Sequence, residues 1–218
     1  MARVAIIGGH GKVALQLAKD LAANGHEVSS LFRNPDHVEE VAATGAAPIV
    51  ADLEKLDTPE LAERLSGHDA VVWSAGAGGG SPERTYAVDR DAAIRSMEAA
   101  EQAGVRRYVM VSYMGAGKDH GVDPDNGFYA YAEAKAAADD HLRRSGLDWT
   151  ILGPSALTDD PGTGRISVGG GQDGSVSRAD VAAVAAEVLE QPGTVGQFIE
   201  FINGDTPIRD AVSAVTKA

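Results

Sequence analysis

Tyr131 and Lys135 lie four residues apart in Tyr131-Ala132-Glu133-Ala134-Lys135, a spacing that places a phenol and an ammonium on one face of a helix. A free phenol, with a pKa of about 10, is a poor acid near neutrality. A neighbouring ammonium favours the phenolate and moves the group toward useful acid–base catalysis. Tyr129 is a second aromatic, but six residues from Lys135 it belongs to another face. Ser112 ends the apolar run Tyr108-Val109-Met110-Val111, where a hydroxyl would hold a substrate oxygen. A solvated helix pair and a serine that satisfies a turn are the plain alternatives, so the surrounding elements decide.

A second constellation is rich in glycine. Ile7-Gly8-Gly9-His10-Gly11-Lys12-Val13-Ala14 follows the apolar run Val4-Ala5-Ile6-Ile7. Small residues at Gly8, Gly11 and Ala14 permit a tight turn, close backbone approach to a pyrophosphate, and close helix–strand packing. The helix that begins there presents free N–H groups to an anion. The residues around this turn, Gly8 to Val13, are therefore candidates for binding a dinucleotide, with a purely structural turn as the alternative. The second strand ends Leu31-Phe32-Arg33-Asn34-Pro35. It carries no acid for a ribose 2′-hydroxyl, but it has an arginine whose planar fork suits a 2′-phosphate. This favours NADP(H) over NAD(H). Asp52-Leu53 falls where an adenine would be flanked, and Ser74-Ala75-Gly76 where a cofactor would lie against backbone.

The elements that must position these groups alternate. Short apolar runs at Val28–Phe32, Pro48–Val50, Ala70–Trp73 and Trp149–Leu152 join the two already named. Helical stretches separate them at Val13–Ala23, Val38–Ala42, Thr58–Leu65, Arg84–Ala103 and Tyr129–Ser145, the last ending at Gly146 as a C-cap. Near-continuous apolar strands between helices indicate a parallel sheet buried on both faces. The expectation is one α/β domain over 1–218, a Rossmann-like doubly wound sheet. Its cofactor-binding core spans 1–152, and a C-terminal segment, 153–218, roofs the substrate side. That segment is loose and Gly/Pro-rich through Gly169-Gly170-Gly171, then closes with a helix Ser177–Glu190 and a strand Phe198–Ile202.

Composition narrows the classes further. The 218 residues hold 19 Lys+Arg against 32 Asp+Glu, a formal charge of −13, which repels nucleic acid and anionic lipid. There is no cysteine, so thiol catalysis, Cys–zinc sites and iron–sulfur clusters are excluded. The histidines are scattered without metal-ligand spacing, and neither a nucleophile elbow nor a Walker phosphate loop is present. No run is long enough to cross a membrane, and the expected location is the cytoplasm. The expected partner is a small-molecule acceptor; monomer and homodimer both stay open.

Taken together, the glycine turn, Arg33-Asn34-Pro35, Gly104-Val105-Arg106-Arg107-Tyr108-Val109, Tyr131 with Lys135, Leu157 to Gly164 and Ser177-Arg178-Ala179-Asp180-Val181-Ala182 resemble the short-chain dehydrogenase/reductase superfamily. The likeness is to its small atypical NAD(P)H-binding members, which include NmrA-like proteins and flavin or biliverdin reductases of type B, often labelled NAD-dependent epimerase/dehydratase. The resemblance implies an NADPH-dependent reductase of a carbonyl, quinone or flavin-like acceptor. Tyr131 would be the acid/base, Lys135 its partner and a ribose ligand, and Ser112 the oxygen-positioning group. It equally admits a non-catalytic NADP(H) sensor. A nucleotide-sugar epimerase fits the fold but needs a larger C-terminal part. Relatives carry Ser-Ser or Thr-Ser where this chain has Ser112-Tyr113, so the working hydroxyl falls to either residue. Where relatives often have Arg-Pro, this chain has Gly153-Pro154.

Overall fold

The computed structural model describes residues 1–79, 81–169 and 173–215; Gly170 and Gly171 of the glycine loop lie outside the described residues. In chain order the elements are β1 (Arg3–Ile7), α1 (Lys12–Ala23), β2 (Glu27–Phe32), α2 (Val38–Ala42), β3 (Ala47–Val50), α3 (Thr58–Leu65), β4 (Ala70–Trp73), α4 (Pro82–Thr85), α5 (Ala93–Ala103) and β5 (Arg107–Val111). They continue with α6 (Tyr129–Arg144), β6 (Asp148–Pro154), β7 (Ala156–Thr158), β8 (Arg165–Val168), β9 (Ser175–Ser177), α7 (Arg178–Glu190), β10 (Gln197–Asn203), β11 (Thr206–Pro207) and α8 (Ile208–Val215).

Nine strands form one sheet in the order β11-β8-β10-β6-β5-β4-β1-β2-β3, while β7 and β9 pair separately. The period of two along each strand explains the two-sided burial. In β1, Val4 and Ile6 join the core under α1, α7 and α8, whereas Ala5 and Ile7 join the core under α3, α5 and α6. The central strands β1, β2, β4, β5 and β6 feed both cores, which is why β1 and β4 are apolar almost throughout rather than alternating. α1 buries Val13, Ala14, Leu17, Ala18 and Leu21, one stripe of helical period. α3 is started by a capping box in which Asp57 and Glu60 bond reciprocally to each other's backbone.

The structure corrects several details. The sheet is parallel from β3 to β10, but β8 is antiparallel to both β10 and β11. Much of the segment after residue 152 therefore widens the sheet instead of roofing a site. The strands β7, β8 and β9 are three or four residues long in Gly/Pro-rich sequence, and non-local pairing, not local pattern, defines them. α8 did carry a signal, because Ile208, Ala211 and Val212 follow helical spacing and are buried. The long helix expected over Arg84–Ala103 is broken by a π-helical stretch, Tyr86–Ala92. Gly146 is not a left-handed cap. Ser145 ends α6 in an extended conformation, and Gly146 N donates to Glu101 Oε1 at 2.7 Å. A left-handed glycine does cap α5, at Gly104, φ +74°.

Candidate cofactor cleft and acceptor cavity

The chain runs from β1 outward through β2 to β3, then returns to place β4 on the other side of β1. Between β1 and β4 the strand order reverses, and ligands of open α/β sheets bind beyond the strand carboxyl ends at such a point. A cleft of about 270 Å³ opens there. Among the sequence candidates, Gly8, His10, Gly11, Arg33, Asp52, Leu53, Ser74, Ala75 and Gly76 line it.

Gly8 takes φ +85°, and a Cβ on it would lie 2.5 Å from the Ala75 backbone. The turn thus needs glycine both for its conformation and for its approach to the end of β4. Gly9, unassigned in the glycine pattern, is as restricted, since its Cβ would meet Ser30 Cβ at 2.5 Å. Gly9 packs against β2 and does not line the cleft. α1 starts at Gly11 with no side-chain cap and no acidic residue in its first turn, so the chain itself offers no partner to the leading N–H groups. The cradle fits a pyrophosphate.

Two more candidates, besides Gly9, are placed elsewhere. Val13 is part of the core under α1. Lys12 Nζ turns away to Asp159 Oδ2 at 2.5 Å, and Arg178 Nη1 reaches the other oxygen of Asp159 at 2.8 Å. His10 stacks on His37, with ring centroids 3.4 Å apart, and its Nε2 is 2.7 Å from Glu40 Oε2. Among the cleft residues that sequence reasoning missed are His37, Glu54 and Arg84.

A second cavity, about 350 Å³, opens at the ends of β5 and β6, bounded by Ser112, Tyr113, Met114, Phe128, Tyr131 and residues 154–157. One side of it is an aromatic wall. The rings of Tyr113, Phe128 and Tyr131 lie 5.1 to 5.6 Å apart, centroid to centroid. Because β4 and β5 are paired, cleft and cavity open at the ends of neighbouring strands.

Beneath the cavity, Lys135 is fully buried and donates from Nζ to Val111 O at 2.9 Å and Met110 Sδ at 3.1 Å. Burial pulls its ammonium below the ordinary lysine range, and the carboxylates of Asp139 and Asp89 partly restore it. Burial pushes the Tyr131 phenol above its ordinary value, and the charges of Asp89 and Asp139 push it the same way. The expected lowering of Tyr131 by Lys135 is therefore not met, because the lysine is drawn under β5 while two carboxylates act on the phenol. Ser112 donates to Asp139 Oδ2 at 2.6 Å, so its hydroxyl is committed inside the protein. Tyr113 Oη is buried and has no hydrogen-bond partner among the described residues.

Asp89 and Asp139 were not foreseen. Asp139 had a signal, since Tyr131, Lys135 and Asp139 continue one four-residue spacing along α6. Asp89 sits in the π-helical stretch and accepts from Ala77 N at 2.9 Å, tying down the loop that lines the cleft. Gly153 has a packing reason, because a Cβ there would lie 2.7 Å from the Phe198 ring. The Ser177–Asp180 and Thr163-Gly164 segments are joined by Asp180, which accepts from Thr163 N, Gly164 N and Ser177 Oγ.

Comparison with known proteins gives the family and the fold. The NAD(P)H-binding family model matches residues 8–192. YhfK of Bacillus subtilis, named an uncharacterized sugar epimerase, is 34% identical over 96% of this chain and 98% of its own. A solved Bacillus halodurans protein, provisionally named an NAD-dependent epimerase/dehydratase, superposes with a TM-score of 0.91 at 35% identity, covering 98% of this chain and 100% of that one. ChuY, an anaerobilin reductase of Escherichia coli O157:H7, superposes with a TM-score of 0.77 at 25% identity, covering 93% and 98%. Among the described residues no helix is long and apolar enough to cross a membrane.

Proposed function

The chain belongs to the NAD(P)H-binding family, and from that premise we propose that it is an NADP(H)-dependent oxidoreductase that passes hydride to a small carbonyl, quinone or flavin-like acceptor. The observation that carries this reading is the aromatic-walled cavity of Tyr113, Phe128 and Tyr131 beside the glycine cleft. A flat, apolar-sided acceptor matches those walls, whereas a nucleotide sugar needs many polar contacts. The reductase name of ChuY supports the same reaction class.

When bound, a reduced nicotinamide supplies the hydride. The protein's own residues do the rest. The uncapped start of α1 and the Gly8–Gly11 turn hold the pyrophosphate, and Arg33 takes the 2′-phosphate. Tyr131, kept protonated by burial and by Asp89 and Asp139, gives its hydroxyl proton to the acceptor oxygen. The raised pKa keeps the proton on Tyr131 at neutrality but makes the phenol a weaker acid than a free one, so its transfer follows the negative charge that builds on the acceptor oxygen as hydride arrives. Lys135 braces the end of β5 through Val111 O, and the apolar walls exclude water.

The test is NADPH oxidation, followed by nicotinamide absorbance, against quinones, flavins, tetrapyrroles and aldehydes. Turnover of at least one acceptor is expected, cut by about 10²–10⁴-fold in Tyr131→Phe. Unchanged turnover in that variant removes Tyr131 from the chemistry. Equal affinity of the parent protein for NADPH and NADH contradicts the assignment of Arg33. One observation favours a second reading, a non-catalytic NADP(H) sensor. Ser112 and Lys135 both hydrogen-bond to internal partners, and tight cofactor binding without turnover on any acceptor would select it.

A further inference from the structure

One carboxylate oxygen in the cofactor cleft is shared by two guanidinium groups. Glu54 Oε1 accepts from Arg33 Nη1 at 3.1 Å and faces Arg84 Nε at 3.5 Å. Arg33 follows β2, Glu54 lies beyond β3 and Arg84 belongs to α4, so three separate elements converge on this point. All three residues line the cleft. Arg84 is further fixed by its Nη1, which donates to Ala77 O at 3.0 Å, on the loop that Asp89 holds from the other side.

Two arginines around a single oxygen form a seat for an anion, and here the anion is internal. We propose that Arg33 and Arg84 together form the 2′-phosphate seat, and that Glu54 is the built-in competitor which that phosphate displaces. This rests on the NADP(H) reading above and adds two residues to it. A phosphate monoester carries nearly two charges and three acceptor oxygens, so it engages two guanidinium forks better than one shared carboxylate oxygen can. A cofactor with a free 2′-hydroxyl has no charge with which to displace Glu54. The carboxylate then stays and can accept from that hydroxyl, as acids do in NAD-binding domains. With Glu54 in place the trio carries a net charge of +1; without it the two arginines carry +2. Glu54 therefore sets how strongly the cleft prefers one cofactor over the other.

The experiment measures dissociation constants of NADPH and NADH for the full chain, at low and high salt, in the parent protein and in Glu54→Gln, Arg84→Met and Arg33→Ala. Glu54→Gln is expected to raise the NADPH-over-NADH preference about three- to tenfold, mainly by tightening NADPH. Arg84→Met is expected to lower that preference about tenfold, and added salt should shrink both effects. A Glu54→Gln preference equal to the parent's, or an Arg84→Met variant that weakens both cofactors alike, overturns the proposal while leaving an NADPH-preferring parent intact. A parent protein that favours NADH, with Arg33→Ala neutral, overturns the NADP(H) reading itself and this proposal with it.

Discussion

Ser112 donates its hydroxyl hydrogen to Asp139 across 2.6 Å in the protein interior. This bond ties the end of β5 to the middle of α6, the helix that carries Tyr131 and Lys135. Burial pushes the Asp139 carboxyl above its ordinary range, while Lys135, the Ser112 hydroxyl and Arg143 oppose that shift. Burial in turn lowers the Lys135 pKa, and the carboxylates of Asp139 and Asp89 oppose that shift without reversing it. The residues under the acceptor cavity act as one electrostatic unit, so single substitutions will not report independent contributions.

That coupling predicts a non-additive double-mutant cycle. Asp139→Asn and Lys135→Met are each expected to destabilise the fold by about 1–3 kcal/mol, because each removes a partner that buried polar groups rely on, the Ser112 acceptor in one case and the Val111 O donor in the other. The double variant should recover at least about 1 kcal/mol of the summed loss. Denaturant unfolding of the four proteins measures it, and strict additivity would show that the two groups do not sense one another.

The glycine turn yields a contrast between neighbours. Gly9→Ala drives a Cβ to 2.5 Å from Ser30 Cβ and 2.9 Å from Ser30 Cα, and Ser30 is fully buried in β2, so the strand cannot yield cheaply. A loss of about 1–3 kcal/mol is expected. In Gly11→Ala the new methyl meets nothing nearer than Gly8 O at 3.3 Å, and its backbone, φ −63° and ψ 150°, suits alanine. That variant should lose less than about 1 kcal/mol. Urea midpoints rank the two, and a Gly9→Ala protein as stable as Gly11→Ala would refute the packing argument.

Asp180 gives a pH dependence with a definite sign. Burial alone would raise its pKa, but the N–H groups of Thr163 and Gly164, the Asn203 amide and the Ser177 hydroxyl outweigh it and hold the carboxyl below its ordinary value. A lowered folded pKa contributes stability that is complete above the unfolded value, about 4, and is lost as pH falls through the folded one. Asp180→Asn should therefore cost about 2–3 kcal/mol near neutrality, with the gap to the parent closing in acid. Unfolding measured from pH 7 downward tests this; a gap that stays constant into acid would place the Asp180 effect outside its charge.

The alternating pattern was legible because the central strands of the parallel sheet are buried on both faces, which leaves a distinctive apolar run. α3 and β4 match their expected bounds, Thr58–Leu65 and Ala70–Trp73. The cleft was legible for a similar reason. Gly8, Gly11 and Arg33 sit at fixed offsets from strand ends, and those offsets survive folding. Asp89 was hidden because it lies within a π-helical stretch that has no signature in the sequence. Glu54 and Arg84 were hidden because they read as ordinary surface charges until the segments after β2 and β3 and the helix α4 bring Arg33 and Arg84 around one Glu54 oxygen.

The alternation of strands and helices, the glycine turn and the shared face of Tyr131 and Lys135 thus follow from the sequence alone, since each depends on local spacing and on which residues must leave water. Tertiary structure decided the direction of the Tyr131 shift, the commitment of Ser112 to Asp139 and the pairing of Glu54 with two arginines. Those depend on burial and on charges remote in the chain. Electrostatic energy follows distance through space and local polarity, and neither is written in sequence separation.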